Sequence, residues 1–240
     1  MTASPESPVP DPILQQRLKL RLDAVMQRID AARIDAWGIR SEVTLVAVTK
    51  TVSAEVAACL PSLGILDLGE NRPQELWHKA AVLPSETRWH LIGHLQRNKV
   101  ERTLPLTHLI HSVDSMRLLD ALEQQGCNVA VLLEVNASGE ASKHGFAPHE
   151  LLSLAARIGV LQHVRVKGLM TMAALQDPEA CRPTFRYLRG LRDRLRDNSM
   201  LAAHSLEHLS MGMSNDFEVA IEEGATMVRL GSVLFEGLGA

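Results

Sequence analysis

Lys50 closes VTLVAVTK (residues 43 to 50), a short, nearly continuous apolar run rich in β-branched residues that reads as a buried parallel strand. An ammonium group is strongly hydrated and costly to bury, so its place at the end of such a run asks for a chemical reason. A lysine whose pKa is depressed by desolvation or by a cationic neighbour is a nucleophile toward carbonyls. Much later in the chain, SMGMS (210 to 214) and RLGS (229 to 232) supply small residues, hydroxyls and two glycines. Backbone N–H groups and hydroxyls at such turns hold phosphate, above all where a helix begins. The expected cradle is Ser210, Gly212, Met213, Gly231 and Ser232, with Ser214 opening a helix over NDFEVAIEEG. Together with Arg229, these features imply a phosphorylated carbonyl ligand whose aldehyde reaches Lys50. Each feature is weak alone: a Gly-Ser turn is commonly only a turn and a strand-end lysine only a salt-bridge partner, so the bland reading stays open here.

The elements that would bring these residues together follow a rhythm. Short apolar runs alternate with amphipathic segments: TLVAVTK, ILDLGEN, RWHLIGHLQ, HLIHSVD, VAVLLEVN, VRVKGLMTM, SLEHLSMGMS and MVRLGSVLF. Caps mark the helices between them: Ser53 before AEVAACL, Asp114 before SMRLLDALEQQG with Gly126 as the stop, and Ser214 with Gly224. Asp11 and Pro12 start an earlier helix, DPILQQRLKLRLDAVMQRIDAAR. About eight strand-helix units in roughly 200 residues fit an α/β chain folded as a (β/α)8 TIM-like barrel. An open doubly wound sheet is the alternative; it commonly stops at fewer strands, and no glycine-rich dinucleotide fingerprint follows the first strand here. In a barrel the chemistry lies at the C-terminal strand ends. Those ends carry Lys50, Glu70, Asn71, His94, Gln96, Asp114, Asn136, Thr171, Ser210 and Arg229. Residues 1–11, with three prolines and two serines, read as a disordered tail before a single domain over 12–240.

Composition narrows the functional classes. A net charge of -3 and a pI near 6.4 give no basic surplus for a phosphate backbone, which argues against nucleic acid as a partner. Cys59, Cys127 and Cys181 are odd in number, far apart and form no CxxC, so they read as packing thiols in a reducing compartment. No run approaches the ~18 apolar residues of a membrane span, and MTASPESPVP lacks the basic start and apolar middle of a signal peptide. The expected location is the cytoplasm, without a membrane partner.

Other motifs have competing readings. HSLEH (204 to 208) matches the letters of a zinc-peptidase motif and raises a metal-dependent hydrolase as a remote alternative; it runs straight into a strand, whereas both imidazoles need one helical face. His90 is expected to pack beside Trp89, and His94 to line the rim of the ligand site. RYLRGLRDRLRD (186 to 197) reads as the solvated face of a long helix.

VAVTK, LGENRPQE, WHLIGHLQRNK, SGEASKHG, GLMTM and LSMGMSNDFEVAIEEGATMVRLGS resemble, in order and spacing, the pyridoxal 5'-phosphate homeostasis proteins, single-domain relatives of the alanine racemase N-terminal barrel. The resemblance spans roughly residues 15 to 237. It implies a fold-type III barrel without the C-terminal β domain, with pyridoxal 5'-phosphate held as a Schiff base on Lys50. The resemblance assigns roles to Lys50 and Arg229; with the residues read from strand ends and turns, the expected cofactor-binding set is Lys50, Asn71, Ser210, Gly212, Met213, Arg229, Gly231 and Ser232. Arg229 would face the pyridine nitrogen and, as a permanent donor, leave it unprotonated, which makes the ring a poor electron sink. The implied function is storage, buffering or delivery of the cofactor, with cofactor-dependent apoenzymes as acceptors, no committed reaction and a monomeric state. Racemases of this type need a second acid/base, a tyrosine from another domain, whereas the single tyrosine here, Tyr187, lies in a helical stripe. A low-activity racemase or transaminase is the alternative. Lys143 is a candidate second amine. Pro73, and Glu236 within LFEG, depart from the family pattern beside the site.

Overall fold

The β-branched runs close into an eight-stranded parallel barrel in the computed structural model, which describes residues 11–37, 42–140, 144–174 and 177–238. The strands are β1 Thr44–Val48, β2 Asp67–Glu70, β3 Arg88–Leu91, β4 Leu109–Val113, β5 Val129–Glu134, β6 Val164–Met170, β7 His208–Ser210 and β8 Met227–Leu230. Each lies within one of the eight apolar runs. They pair in sequence order and β8 returns to β1, with Val46 opposite Arg229, so the open-sheet alternative is excluded. The helices are α1 Pro12–Trp37, α2 Ala54–Ala57, α3 Cys59–Ser62, α4 Pro73–Ala80, α5 Val100–Thr103, α6 Met116–Glu123, α7 Pro148–Gly159, α8 Pro178–Arg196, α9 Phe217–Glu222 and α10 Ser232–Phe235.

Helix α1 forms where the sequence places its start: the Asp11 carboxylate accepts the N–H of Ile13 at 2.9 Å. Leu18, Leu22, Val25, Ile29 and Ala32, spaced at three and four residues, bury one stripe. That stripe packs on α9 and α10, beside the β8–β1 seam. Two other caps shift from their expected places. Helix α6 is capped by Ser115, whose Oγ accepts the N–H of Leu118, while Asp114 turns to His94. Helix α9 begins behind Asp216 and not Ser214. The Ser214 hydroxyl instead accepts from the N–H groups of Gly231 and Val233, while the Asp216 carboxylate takes the N–H of Met213 at 2.7 Å, ahead of the helix.

The arginine run of α8 is not simply solvated. Arg182, Arg186 and Arg189 converge on Glu223, and Arg182 also reaches Glu222, tying α8 to the end of α9. Tyr187 is exposed on the same helix. Cys59 and Cys181 are buried thiols as expected, but Cys127 is exposed. Among the described residues no helix is long and apolar enough to cross a membrane.

The core has two parts. A large apolar layer lies between the barrel and its helices, and a small cluster of Leu109, Leu132, Met170 and Met227 lies apart from it. Strand residues alternate in and out, so the small cluster belongs to the barrel interior. Its neighbours there are polar and buried: Asp67, His90, His111, Ser210 and Arg229. The strands approach closely at Gly168, where an added Cβ would sit 1.9 Å from the His208 carbonyl oxygen. Gly168→Ala is therefore expected to pry β6 from β7 and cost at least about 1–3 kcal/mol, read from the denaturant midpoint.

Candidate functional site

A cavity of about 520 Å³ opens at the C-terminal end of the barrel. Lys50, Asn71, Met213, Arg229, Gly231 and Ser232 all line it, together with Thr51, Ile92, Gly93, Met172, Ser214 and Asn215. Residues from the ends of β1, β2, β3, β6, β7 and β8 thus meet in one space.

Lys50 stands exposed at the rim. Its backbone is fixed from below by a second lysine. Lys79 of α4 is buried, donates to the Thr49 carbonyl oxygen at 2.7 Å and pairs with Glu70 at 2.6 Å. The Thr49 hydroxyl donates to the same Glu70 oxygen at 2.7 Å. One carboxylate oxygen therefore joins the end of β1, the end of β2 and the first helix after β2. Pro73, one of the two departures from the family pattern, occupies the first turn of α4, where its missing N–H costs nothing. Across the mouth, a Cβ on Gly93 would lie 2.2 Å from the Asn71 carbonyl oxygen, so only glycine lets these two strand ends touch.

Arg229 forms the floor. It is buried, gives one N–H to Ser210 Oγ at 2.5 Å and another to the Thr171 carbonyl oxygen at 2.9 Å. Burial pulls its pKa down to about 10, against the opposing charges of Asp216 and Glu134. It is still a cation at neutral pH.

The opposite wall carries the anion donors. The N–H groups of Gly231 and Val233 both aim at the Ser214 hydroxyl, each at 3.4 Å. These are long bonds, at the outer limit for amide donors. Two amides on one hydroxyl at that length are readily taken over by a stronger acceptor.

Two expected residues stand elsewhere. Ser210 does not line the cavity; its hydroxyl lies beneath Arg229, bonded to it and to His111 at 2.8 Å. Gly212 is also set back: its φ of +92° and the 2.6 Å approach of an added Cβ to Ala220 make it a packing glycine against α9. Met213 lines the cavity, with its N–H held by Asp216. His94 borders a neighbouring depression with Asp114, Arg117 and His144 and not the Lys50 cavity. His90 does not pack with Trp89, which belongs to the outer apolar layer; strand alternation turns it inward to Asp67 and His111. His204 of the HSLEH motif has both ring nitrogens bonded to backbone, the N–H of Val166 and the carbonyl of Ile158. Among the described residues no three His, Cys, Asp or Glu side chains are grouped to hold a metal. Lys143 lies outside the described residues. Thr51 lies outside the quoted motifs, and Gly93 and Met172 lie inside WHLIGHLQRNK and GLMTM without being singled out; strand register brings all three to the cavity.

The chain matches the family "Alanine racemase, N-terminal domain" over residues 20–238. It is 43% identical over 221 residues to the pyridoxal phosphate homeostasis protein of Aquifex aeolicus, covering 90% of this chain and 96% of that protein. Among solved structures it is similar to an unknown protein from Bifidobacterium adolescentis, with a TM-score of 0.89, 35% identity and coverage of 97% and 100%. It is likewise similar to PipY of Synechococcus elongatus with pyridoxal phosphate bound, with a TM-score of 0.77, 30% identity and coverage of 91% and 99%.

Proposed function

The chain belongs to the family of pyridoxal phosphate homeostasis proteins, and from that premise we propose that it holds pyridoxal 5'-phosphate as a Schiff base on Lys50 and stores, buffers or delivers it without a committed reaction of its own. The observation that carries this reading is the cavity itself. It joins an exposed amine, a buried guanidinium and a pair of amides on one hydroxyl within about 520 Å³. That volume lies in the range of small-molecule sites.

The residues present fit the cofactor. Bound pyridoxal phosphate supplies an aldehyde that condenses reversibly with an amine. Lys50 offers that amine at the rim, on a backbone held by Lys79. The amides of Gly231 and Val233, with the hydroxyls of Ser214 and Ser232, hold the phosphate. Arg229, the cation of the floor, presents N–H donors to the ring nitrogen, and a donor there keeps that nitrogen unprotonated. The ring is left a weak electron sink. Tyr187, exposed on α8, does not line the cavity and so offers no second acid/base to it. A carrier of this kind hands its cargo to cofactor-dependent apoenzymes of the cytoplasm and can do so as a monomer.

Addition of pyridoxal phosphate to the purified protein is expected to give an absorption band at the visible edge that borohydride fixes onto the peptide containing Lys50. A protein that stays colourless and takes up none of the added compound would overturn the reading. The same sample, incubated with amino acids in deuterated water, is expected to exchange α-protons no faster than free pyridoxal phosphate does; faster exchange would favour a racemase or transaminase.

A further inference from the structure

The polar residues inside the barrel form one line. Asp67, near the N-terminal end of β2, is held by Arg88 at 2.8 Å and lies 2.9 Å from Nε2 of His90. Nδ1 of His90 lies 2.8 Å from Nε2 of His111, and Nδ1 of His111 lies 2.8 Å from the hydroxyl of Ser210. The line ends on Arg229. It runs from the closed end of the barrel to the floor of the cofactor site, through residues that solvent barely touches.

With one proton on each imidazole, the two ends dictate its direction. Arg229 can only donate, and an ionised Asp67 can only accept. Burial raises the affinity of Asp67 for a proton, but the hydrogen bonds from His90 and Arg88 outweigh it and hold its carboxyl below the usual range. His90 must then present Nε2–H to Asp67 and a bare Nδ1 to His111. His111 must present Nε2–H to His90 and a bare Nδ1 to Ser210. The Ser210 proton therefore points at His111, and its oxygen is left free to accept from Arg229. Burial, with the Arg229 guanidinium nearby, depresses the basicity of His111 strongly, which keeps it neutral. The charged or titratable groups facing the pair are Asp67, Arg88, His108, His208 and Arg229, and only Asp67 would favour a further proton on either ring.

We propose that Asp67, His90, His111 and Ser210 act as a directional hydrogen-bond relay that positions Arg229, so that a carboxylate at the closed end of the barrel sets the donor geometry at the cofactor's ring nitrogen. The second half of this statement rests on the cofactor reading above; the relay does not. With Ser210 and the Thr171 carbonyl taking two N–H groups from below, the remaining donors of the guanidinium are turned toward the cavity. Asp67→Asn is the informative change, because an amide can donate to His90 and let the whole line reverse. Both imidazoles would then carry Nδ1–H, and Ser210 would lose the partner for its own proton.

Long-range 15N–1H correlation spectra of the full chain, without cofactor, test the relay directly. In the unmodified protein the relay requires Nε2–H with a bare Nδ1 at both His90 and His111; an Nδ1–H tautomer or an imidazolium at either position would overturn the proposal, whatever the protein binds. In Asp67→Asn both signals are expected to move toward Nδ1–H together; movement of one alone would break the claimed continuity. Binding supplies the second readout. Ser210→Ala is expected to weaken pyridoxal phosphate about tenfold, while the analogue with carbon in place of the ring nitrogen binds it as it binds the unmodified chain. Equal losses for both compounds would make Ser210 a packing residue only and overturn the positioning role. If Ser210→Ala does not fold, Asp67→Asn carries the same comparison. If even the unmodified protein binds neither compound, the cofactor reading and the positioning role fall together, and the tautomers alone decide the relay.

Discussion

Lys50→Ala should lose covalent retention of pyridoxal phosphate outright and bind it on the order of 100-fold or more weakly, a difference of roughly 2.7 kcal/mol. The fold should not notice. Lys50 is exposed and enters no hydrogen bond within the described residues, so its removal belongs to the class of surface substitutions that shift stability by no more than about 0.5 kcal/mol. What remains is the phosphate wall and the floor, which recognise the ligand without a bond to it. Lys50→Arg separates charge from nucleophilicity, since a guanidinium stays protonated and does not condense with aldehydes under these conditions. It should resemble Lys50→Ala in retention after dialysis while keeping the local charge. Equilibrium dialysis and borohydride trapping, run on all three proteins, check this. Unchanged retention in Lys50→Ala would move the site to another amine.

Much of this was legible in the chain. The eight strands announced themselves by β-branched runs, because a parallel strand covered on both faces has no polar side to interrupt it. Lys50 and Arg229 were visible as cations at such runs, although burial holds for Arg229 and not for Lys50, which stands exposed. Ser210 was placed in the right strand but given the wrong neighbours. A hydroxyl at a strand end reads as a ligand-facing group, and only strand register reveals that it points at His111, ninety-nine residues earlier in sequence. His90 and His111 were opaque for the same reason. Periodicity shows that RWHL and LIHSV are strands, but whether a histidine meets water, helix or another histidine depends on which strands close the barrel. The cap at Ser214 failed because its hydroxyl faces the amides of Gly231 and Val233, a pairing that the closure of the barrel creates and local sequence does not show. Lys79 gave no signal at all, since an amphipathic helix with a lysine at one edge is ordinary.

That second lysine carries the largest expected effect on stability. Lys79 and Glu70 are both buried, 2.6 Å apart, and their partners are the Thr49 hydroxyl and carbonyl. Removing one member of a buried pair leaves the other charge without compensation, which costs about 3–5 kcal/mol. Here the exposure of that cost is already prepared: the other Glu70 oxygen, Oε2, is buried without a partner, so Glu70 has no alternative bond to fall back on. Lys79→Met is expected to destabilise the fold by that amount, read from denaturant unfolding, and the double substitution Lys79→Met with Glu70→Leu to recover most of it, because two apolar side chains of similar size remove both charges at once. The cofactor readout should not recover with it. Even in the stable double variant the Thr49 carbonyl has lost its ammonium partner, so the residue before Lys50 is no longer held and pyridoxal phosphate retention should fall. Recovery of stability and retention together would reduce Lys79 to a packing role. Recovery of stability alone would show that the buried lysine exists to aim the exposed one.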